Sequence, residues 1–404
     1  MTANRPEDVI LFSTADWKSR YWTNKQHMAA RLAARGHRVL YVETVGLRLP
    51  GLNALDAGRI LARVKRGVAP IARVQDNVWT LSPLTIPFGH RSPAIAAVNG
   101  MQLRTRIKGW MSAIEVKSPM VWTYHPYMLD AVKSIDASRL IYHCADNLAA
   151  IPGVDPESFK IAERELLERA DITFTTSRYL QSRCEAVAGS RSHYFGNVAD
   201  VGHFGKARIA GNIPPELAAI PRPRLGYVGA LSDFKIDFDL LARIADDQPD
   251  WHLVLIGEER AGQSDDGLRK LAKRRNVHLL GWRCYDDLPR YLSGLDVALL
   301  PQLINDYTRA MFPMKFFEYL AAGLPVVSTP LDAIRDFGPI CSTAPDSRSF
   351  VDAIRKQLSD RPPPLRLDDA ILVENSWDAR LDKMLENINS AHMSGRAKRN
   401  NVQS

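Results

Sequence analysis

The stretch from Asp296 to Ser328 constrains the fold more than any other, because it runs from strand to helix and back to strand. DVALLPQ (Asp296–Gln302) is a short apolar run, the pattern of a strand buried on both faces. Pro313 suits the opening of a helix, since its missing N–H is not needed there, and Gly323 follows the last turn as a stop. Leu324–Ser328 (LPVVS) then resumes as a buried strand. A strand–helix–strand unit of this length predicts a parallel sheet. In open parallel sheets ligands bind beyond the carboxyl ends of the strands, and a helix amino terminus there offers free N–H donors and about half a positive charge, which suits a diphosphate. Lys315 would add a full charge to such a site. Glu318, three residues on and on the same helical face, could accept hydrogen bonds from ribose hydroxyls. The competing reading of Lys315 and Glu318 is an exposed ion pair, which is common at this spacing.

Strands and helices alternate along the whole chain in two sets, the pattern of doubly wound α/β domains. The first set begins with a strand at Asp8–Ser13, a helix at Asn24–Arg35 and a strand at Arg38–Val42. It continues through strands at Met120–Tyr124, Arg139–Cys144 and Asp171–Thr175, giving a first domain over 1–205. Residues 206–223 hold Pro214, Pro215, Pro221 and Pro223 with little periodicity and read as an interdomain linker. A second domain over 224–375 opens with a strand at Arg224–Val228. Trp377–Ile388 has helical spacing, so 376–404 is expected as a last helix with a polar, basic, disordered tail.

At 404 residues with 46% hydrophobic content, two well-filled cores are the natural expectation. No apolar run approaches a membrane span and MTANRPEDVILF has no signal-peptide core, so a cytoplasmic protein is expected. Cys144, Cys184, Cys284 and Cys341 have no metal-ligand spacing and read as reduced thiols. The net charge of +8 asks for an acidic partner. Within 59–73, Arg59, Arg63, Lys65, Arg66 and Arg73 alternate with apolar residues at helical spacing, and within 104–111 Arg104, Arg106 and Lys108 precede Trp110 and Met111. Such segments can lie on an anionic membrane surface, and solvated helix faces covering a sheet are the alternative. Nucleic acid is not expected as a partner, since no binding module is present and aromatics are not interleaved with the basic residues.

The order and spacing of several segments resemble the GT-B glycosyltransferases, the broad group of families 1 and 4 and of bacterial exopolysaccharide enzymes such as the xanthan glucuronosyltransferase. These segments are GHRVLYVE (36–43), RADITFTTS (169–177), GYVGAL (226–231), WHLVLIGE (251–258), NVHLLGWRCYDDLPRYLSGLDVALLP (276–301) and FPMKFFEYLAAGLPVVST (312–329). The resemblance implies two Rossmann-like domains facing a central cleft, with the last helix crossing back to the first. It implies transfer of a sugar from a nucleotide-sugar donor, UDP by default, to a glycan or lipid-linked acceptor. On this likeness Gly229, Lys235, Glu258, Arg309, Met314, Lys315 and Glu318 bind the donor, and Trp282–Tyr285 flank the base. Gly226 and Gly229 would let backbone approach the phosphates. The usual neighbouring Arg is Ala230 here, which leaves more of the phosphate to Lys315.

Asp146, in LIYHCADN at the end of a first-domain strand, is the candidate base for the acceptor hydroxyl, with a turn or cap as its alternative. An Asp is regarded as the base at the corresponding place in the xanthan-type enzymes. His125 ends another strand and either assists catalysis or is a buried hydrogen-bonded imidazole. Asp16, Arg20, Asn24 and Lys25, in the first strand-to-helix connection, form a candidate acceptor wall. Retaining members of the family usually show two glutamates eight residues apart, the second matching Glu318, but the first position is Ala310. That departure and Asp146 favour inversion without a metal. Asp237 and Asp239 read as capping residues, and no cofactor is expected beyond the nucleotide-sugar substrate. A nicotinamide enzyme would need a glycine-rich turn after the first strand, and STADWK (13–18) has none. A catalytically impaired binding subunit and a nucleotide-sugar epimerase of the same fold stay open.

Overall fold

A computed structural model of the chain describes residues 6–44, 67, 69–83, 93–209, 211, 213–259, 266–360 and 362–402. The chain divides into two compact units, Met1–Phe195 with Leu381–Ser404, and Gly196–Arg380.

The first unit is built on eight strands: β1 (Val9–Phe12), β2 (Val39–Val42), β3 (Ala72–Gln75), β4 (Val78–Leu81), β5 (Met120–Thr123), β6 (Arg139–Cys144), β7 (Ile172–Thr175) and β8 (Ser192–Tyr194). Their order is β3-β4-β2-β1-β5-β6-β7-β8. Every pair is parallel except β3 with β4, a hairpin whose turn holds Asn77 at φ 59°. β1, β2 and β5 are buried at every position, as strands covered on both faces must be. The order reverses at β1, which has β2 on one side and β5 on the other. The loops leaving β1 and β5 therefore flank a switch point, where a parallel sheet opens a crevice.

The second unit holds β9 (Arg224–Val228), β10 (His252–Ile256), β11 (Val277–Leu279), β12 (Val297–Leu300), β13 (Val326–Ser328) and β14 (Ser342–Thr343), all parallel in the order β11-β10-β9-β12-β13-β14. Alternation along the strands feeds two cores. Leu253, Leu255, Val297 and Leu299 pack with Leu241, Ile244 and Phe350 from the helices Phe238–Asp247 and Ser347–Asp360. Val254, Ile256, Ala298 and Leu300 pack on the other face with Phe316, Tyr319 and Leu320 of the helix Lys315–Ala321. Asp237 caps the first of these helices by accepting from the Leu240 N–H at 2.7 Å, the capping role its position predicts.

Three boundaries differ from the sequence reading. The first unit's leading segment ends at Phe195 rather than at 205, and Ala199 and Phe204 pack in the second unit's core. Residues 206–223 are not a free linker: Ala207, Leu217 and Ile220 lie in the second unit's core. Arg208 donates from Nε and Nη2 to the carbonyls of Ala321 and Leu320 at 2.7 and 2.8 Å, satisfying the carboxyl end of the helix Lys315–Ala321. The last helix runs from Trp377 to Val402, through the tail expected to be disordered, with the residues from Leu381 onward counted in the first unit.

Candidate functional site

In the second unit the sheet's switch point lies between β9 and β12. Their pairing is confined to Leu225–Val297 and Gly226–Ala298, and beyond it the Val228 N–H donates to the buried Tyr319 hydroxyl at 2.8 Å. Gly226 is required by packing, since a Cβ there would clash with Leu295 Cδ1. Gly229, at φ +149°, holds a conformation that side chains rarely adopt, and its Cβ would meet the Tyr227 hydroxyl at 2.9 Å.

The loops beyond β9 and β12 are stapled together. Leu303 N–H donates to the Lys235 carbonyl at 2.8 Å, and Asn305 Nδ2 to the Phe234 carbonyl at 2.8 Å. Asn305 also caps the short helix Asp306–Arg309 by accepting from the Tyr307 and Thr308 N–H groups. Lys235 thereby comes to lie with Nζ 4.6 Å from the Tyr307 ring centroid, a cation–π contact on a largely buried ring. Arg309 is exposed, and Glu258 and Met314 are half-buried. All the predicted donor residues thus follow the carboxyl ends of β9, β10 or β12. Two residues were not anticipated: Tyr307, and Gln302, whose buried Oε1 has no hydrogen-bond partner among the described residues.

Lys315 and Glu318 are an ion pair at 2.6 Å, but not an exposed one, for the Glu318 side chain is 3% exposed and that of Lys315 25%. A carboxylate so placed needs its cation, because burying an unpaired charge is costly. The helix spans only seven residues, so Lys315 itself, rather than a macrodipole, is the stronger positive element. Ala310, where the family pattern has its first glutamate, is 0% exposed. Ala310→Glu is therefore expected to cost more than about 3 kcal/mol of stability, as an uncompensated buried charge does. An unchanged urea midpoint would show instead that a carboxylate there reaches water.

In the first unit Asp146 follows β6 and accepts from Lys25 Nζ at 3.1 Å. Asn24 and Lys25 open the helix Asn24–Ala34 and are 3% and 5% exposed, so neither presents the open acceptor wall expected of it. Asp16 is half-buried and Arg20 exposed in the loop after β1, beside a contact of Trp17 with Trp22 at 5.2 Å. His125 is fully buried, yet it is not the hydrogen-bonded imidazole of the alternative reading: neither ring nitrogen has a partner among the described residues.

Desolvation lowers the His125 imidazole from 6.5 to about 4, so it is neutral at pH 7. The unfolded chain then takes up a proton before the folded one does, and stability is full above pH 6.5 and lost as pH falls toward 4. The expected loss is up to about 3 kcal/mol at 1.36 kcal/mol per unit. Thermal melts of His125→Leu should be flatter than wild type over this range; parallel profiles would remove His125 as the cause.

The basic segments are used differently from the sequence reading. Residues 59–66 and 68 lie outside the described residues. Arg73 is on β3 rather than a helix, paired with Asp76 at 2.9 Å, because a turn at Asn77 makes a hairpin. On the helix Pro93–Ala113, Leu103, Ile107 and Trp110 face the sheet at helical spacing, which buries Trp110. Arg106 Nη1 donates to the carbonyls of Gly67 and Ser82 at 2.6 and 2.9 Å. Among described helices none is long and apolar enough to cross a membrane. Tyr285 stacks on His203 with centroids 4.3 Å apart, and Trp282 is half-buried. All four cysteines are free thiols, and burial pushes Cys341 up to about 12. Among the described residues no group of three or more His, Cys, Asp or Glu is placed to hold a metal.

Comparison with known proteins agrees with this architecture. Over 96% of its length the chain is similar to all of the sucrose-phosphate synthase from Thermosynechococcus elongatus, at 16% identity and TM-score 0.70. Over 95% it is similar to all of Anabaena HepE, solved in complex with UDP-glucose, at 14% identity and TM-score 0.65. The fold is GT-B, two Rossmann-like domains. Within it, residues 222–360, inside the second unit, match the Glycosyl transferases group 1 family. The putative teichuronic acid biosynthesis glycosyltransferase TuaH of Bacillus subtilis is 28% identical over 207 residues, 48% of this chain and 51% of that protein. The chain thus spans about half the length of the curated relative it matches.

Proposed function

We propose that this chain is a glycosyltransferase that moves a sugar from a nucleotide-diphosphate donor to a hydroxyl of a glycan or lipid-linked acceptor in cell-surface polysaccharide synthesis. The observation that carries this reading is the buried Glu318 carboxylate paired with Lys315, at the opening of the helix after β12 and inside the segment matched to the family. UDP is the favoured nucleotide, in keeping with the UDP-glucose complex of HepE, and the polysaccharide context follows the name of TuaH.

The reaction is a single displacement. Asp146 takes the acceptor proton, the acceptor oxygen bonds to the anomeric carbon from the face opposite the diphosphate, and the departing nucleotide diphosphate keeps the bonding electrons. Lys235, Lys315 and the exposed Arg309 balance the charge that develops on it, so the step needs no divalent metal. The buried Ala310 supports inversion, because it stands where the retaining pattern has the first of its two glutamates. An anionic membrane surface as a further partner would meet Lys108 with Val98 and Met101, which are exposed on the helix Pro93–Ala113, rather than Trp110. The reading is tested by incubating the protein with a panel of UDP- and GDP-sugars and measuring nucleotide diphosphate release. Release from none of them, with and without glycan acceptors, would sink it.

A further inference from the structure

The turn that holds Asp146 is gripped at three consecutive residues by three different parts of the first unit. Thr176 Oγ1, just after β7, donates to the Ala145 carbonyl at 2.7 Å. Lys25 Nζ, on the helix Asn24–Ala34, donates to Asp146 Oδ2 at 3.1 Å. Arg183 Nη1, on the helix Arg178–Ala188, donates to Asn147 Oδ1 at 2.9 Å. Arg183 is itself fixed by Glu163, whose two oxygens accept from Nη2 at 3.1 and 2.9 Å, and Tyr142 donates to the same carboxylate at 2.6 Å.

Lys25 is the unusual member of this set. Its side chain is 6% exposed, while that of its partner Asp146 is 24% exposed, and its ammonium lies 5.5 Å from the Tyr124 ring centroid. Burying a lysine costs hydration and rotamer entropy, which an ordinary surface ion pair does not return. The ammonium reaches from the buried side toward a carboxylate that still meets solvent. Such an arrangement fixes the reactive group from behind and leaves its approach open.

We propose that Lys25 is a positioning residue, holding the Asp146 carboxylate in one orientation and balancing its charge while it waits for the acceptor proton. This rests on Asp146 acting as the base in the reading above, and it replaces the acceptor contact first expected of Lys25. The test uses the full chain and the UDP-sugar on which wild type shows the greatest UDP release. Lys25→Met and Lys25→Gln remove the charge, and Lys25→Arg keeps it. The neutral variants should lose about 10²-fold in kcat, the size of effect a misplaced catalytic group produces, with donor KM and UDP-induced thermal stabilisation within about threefold of wild type. Lys25→Arg should recover most of the lost kcat. Neutral variants that keep wild-type kcat would overturn the proposal, as would an arginine variant that folds yet is as slow as the neutral ones. If wild type releases UDP and Lys25→Gln does so equally, only the positioning role fails. If wild type releases nucleotide diphosphate from no UDP- or GDP-sugar, the functional reading fails and takes this role with it.

Discussion

Asp146→Asn should lower sugar transfer by about 10²–10⁴-fold, the usual contribution of a general base, while leaving UDP binding within about threefold of wild type. The substitution is nearly isosteric. The amide oxygen can still accept from Lys25, so the turn between Ala145 and Asn147 keeps its bonds to Thr176 and Arg183. What is lost is basicity, since an amide cannot take the acceptor proton. A second consequence separates this from general damage: the largely buried Lys25 charge loses its counter-ion, so a stability loss of about 1–3 kcal/mol should accompany the loss of rate. UDP release from a UDP-sugar in the presence of acceptor reads the first effect and urea unfolding the second. Full activity in Asp146→Asn would leave the carboxylate as no more than half of a structural ion pair.

Lys315→Ala should show two effects that a second substitution can pull apart. Removing the ammonium strands a carboxylate that is 3% exposed and was bonded at 2.6 Å. The expected destabilisation is about 1–3 kcal/mol rather than the larger value for a fully buried pair, because Lys315 itself is a quarter exposed and water can enter where it stood. The thermal shift induced by UDP should also largely disappear. Adding Glu318→Gln removes the stranded charge, so the double variant should regain stability without regaining the response to UDP. Recovery of both together would mean that Lys315 serves only to neutralise its neighbour.

Much of the frame was legible because buried parallel strands write themselves as short apolar runs between polar turns. Arg139–Cys144 and Arg224–Val228 appear in the structure with the ends read from sequence, and Trp377 opens the last helix where its spacing begins. The region 206–223 was misread because turns and one-turn helices have no periodicity, and burial of Leu217 against the second sheet leaves no local mark. Trp110 could have been placed correctly: Leu103, Ile107 and Trp110 fall on one face once the helix is taken from Pro93, a phase lost when it is cut at Arg104. The site was harder. Lys315 and Glu318 are neighbours on one helix, so their pairing was readable, but the burial of Glu318 depends on packing around Tyr319 and Phe317 that spacing does not encode. Lys25 and Asp146 are 121 positions apart, and only the fold brings them together.

A calorimetric titration of UDP into wild type, Asp146→Asn and Lys315→Ala at one salt concentration tests the donor site most directly. Wild type and Asp146→Asn should bind with similar Kd, and Lys315→Ala about tenfold or more weakly, the loss of one charge-assisted contact at 1.4 kcal/mol per decade. Equal affinities in all three, or no saturable heat in wild type, would contradict it.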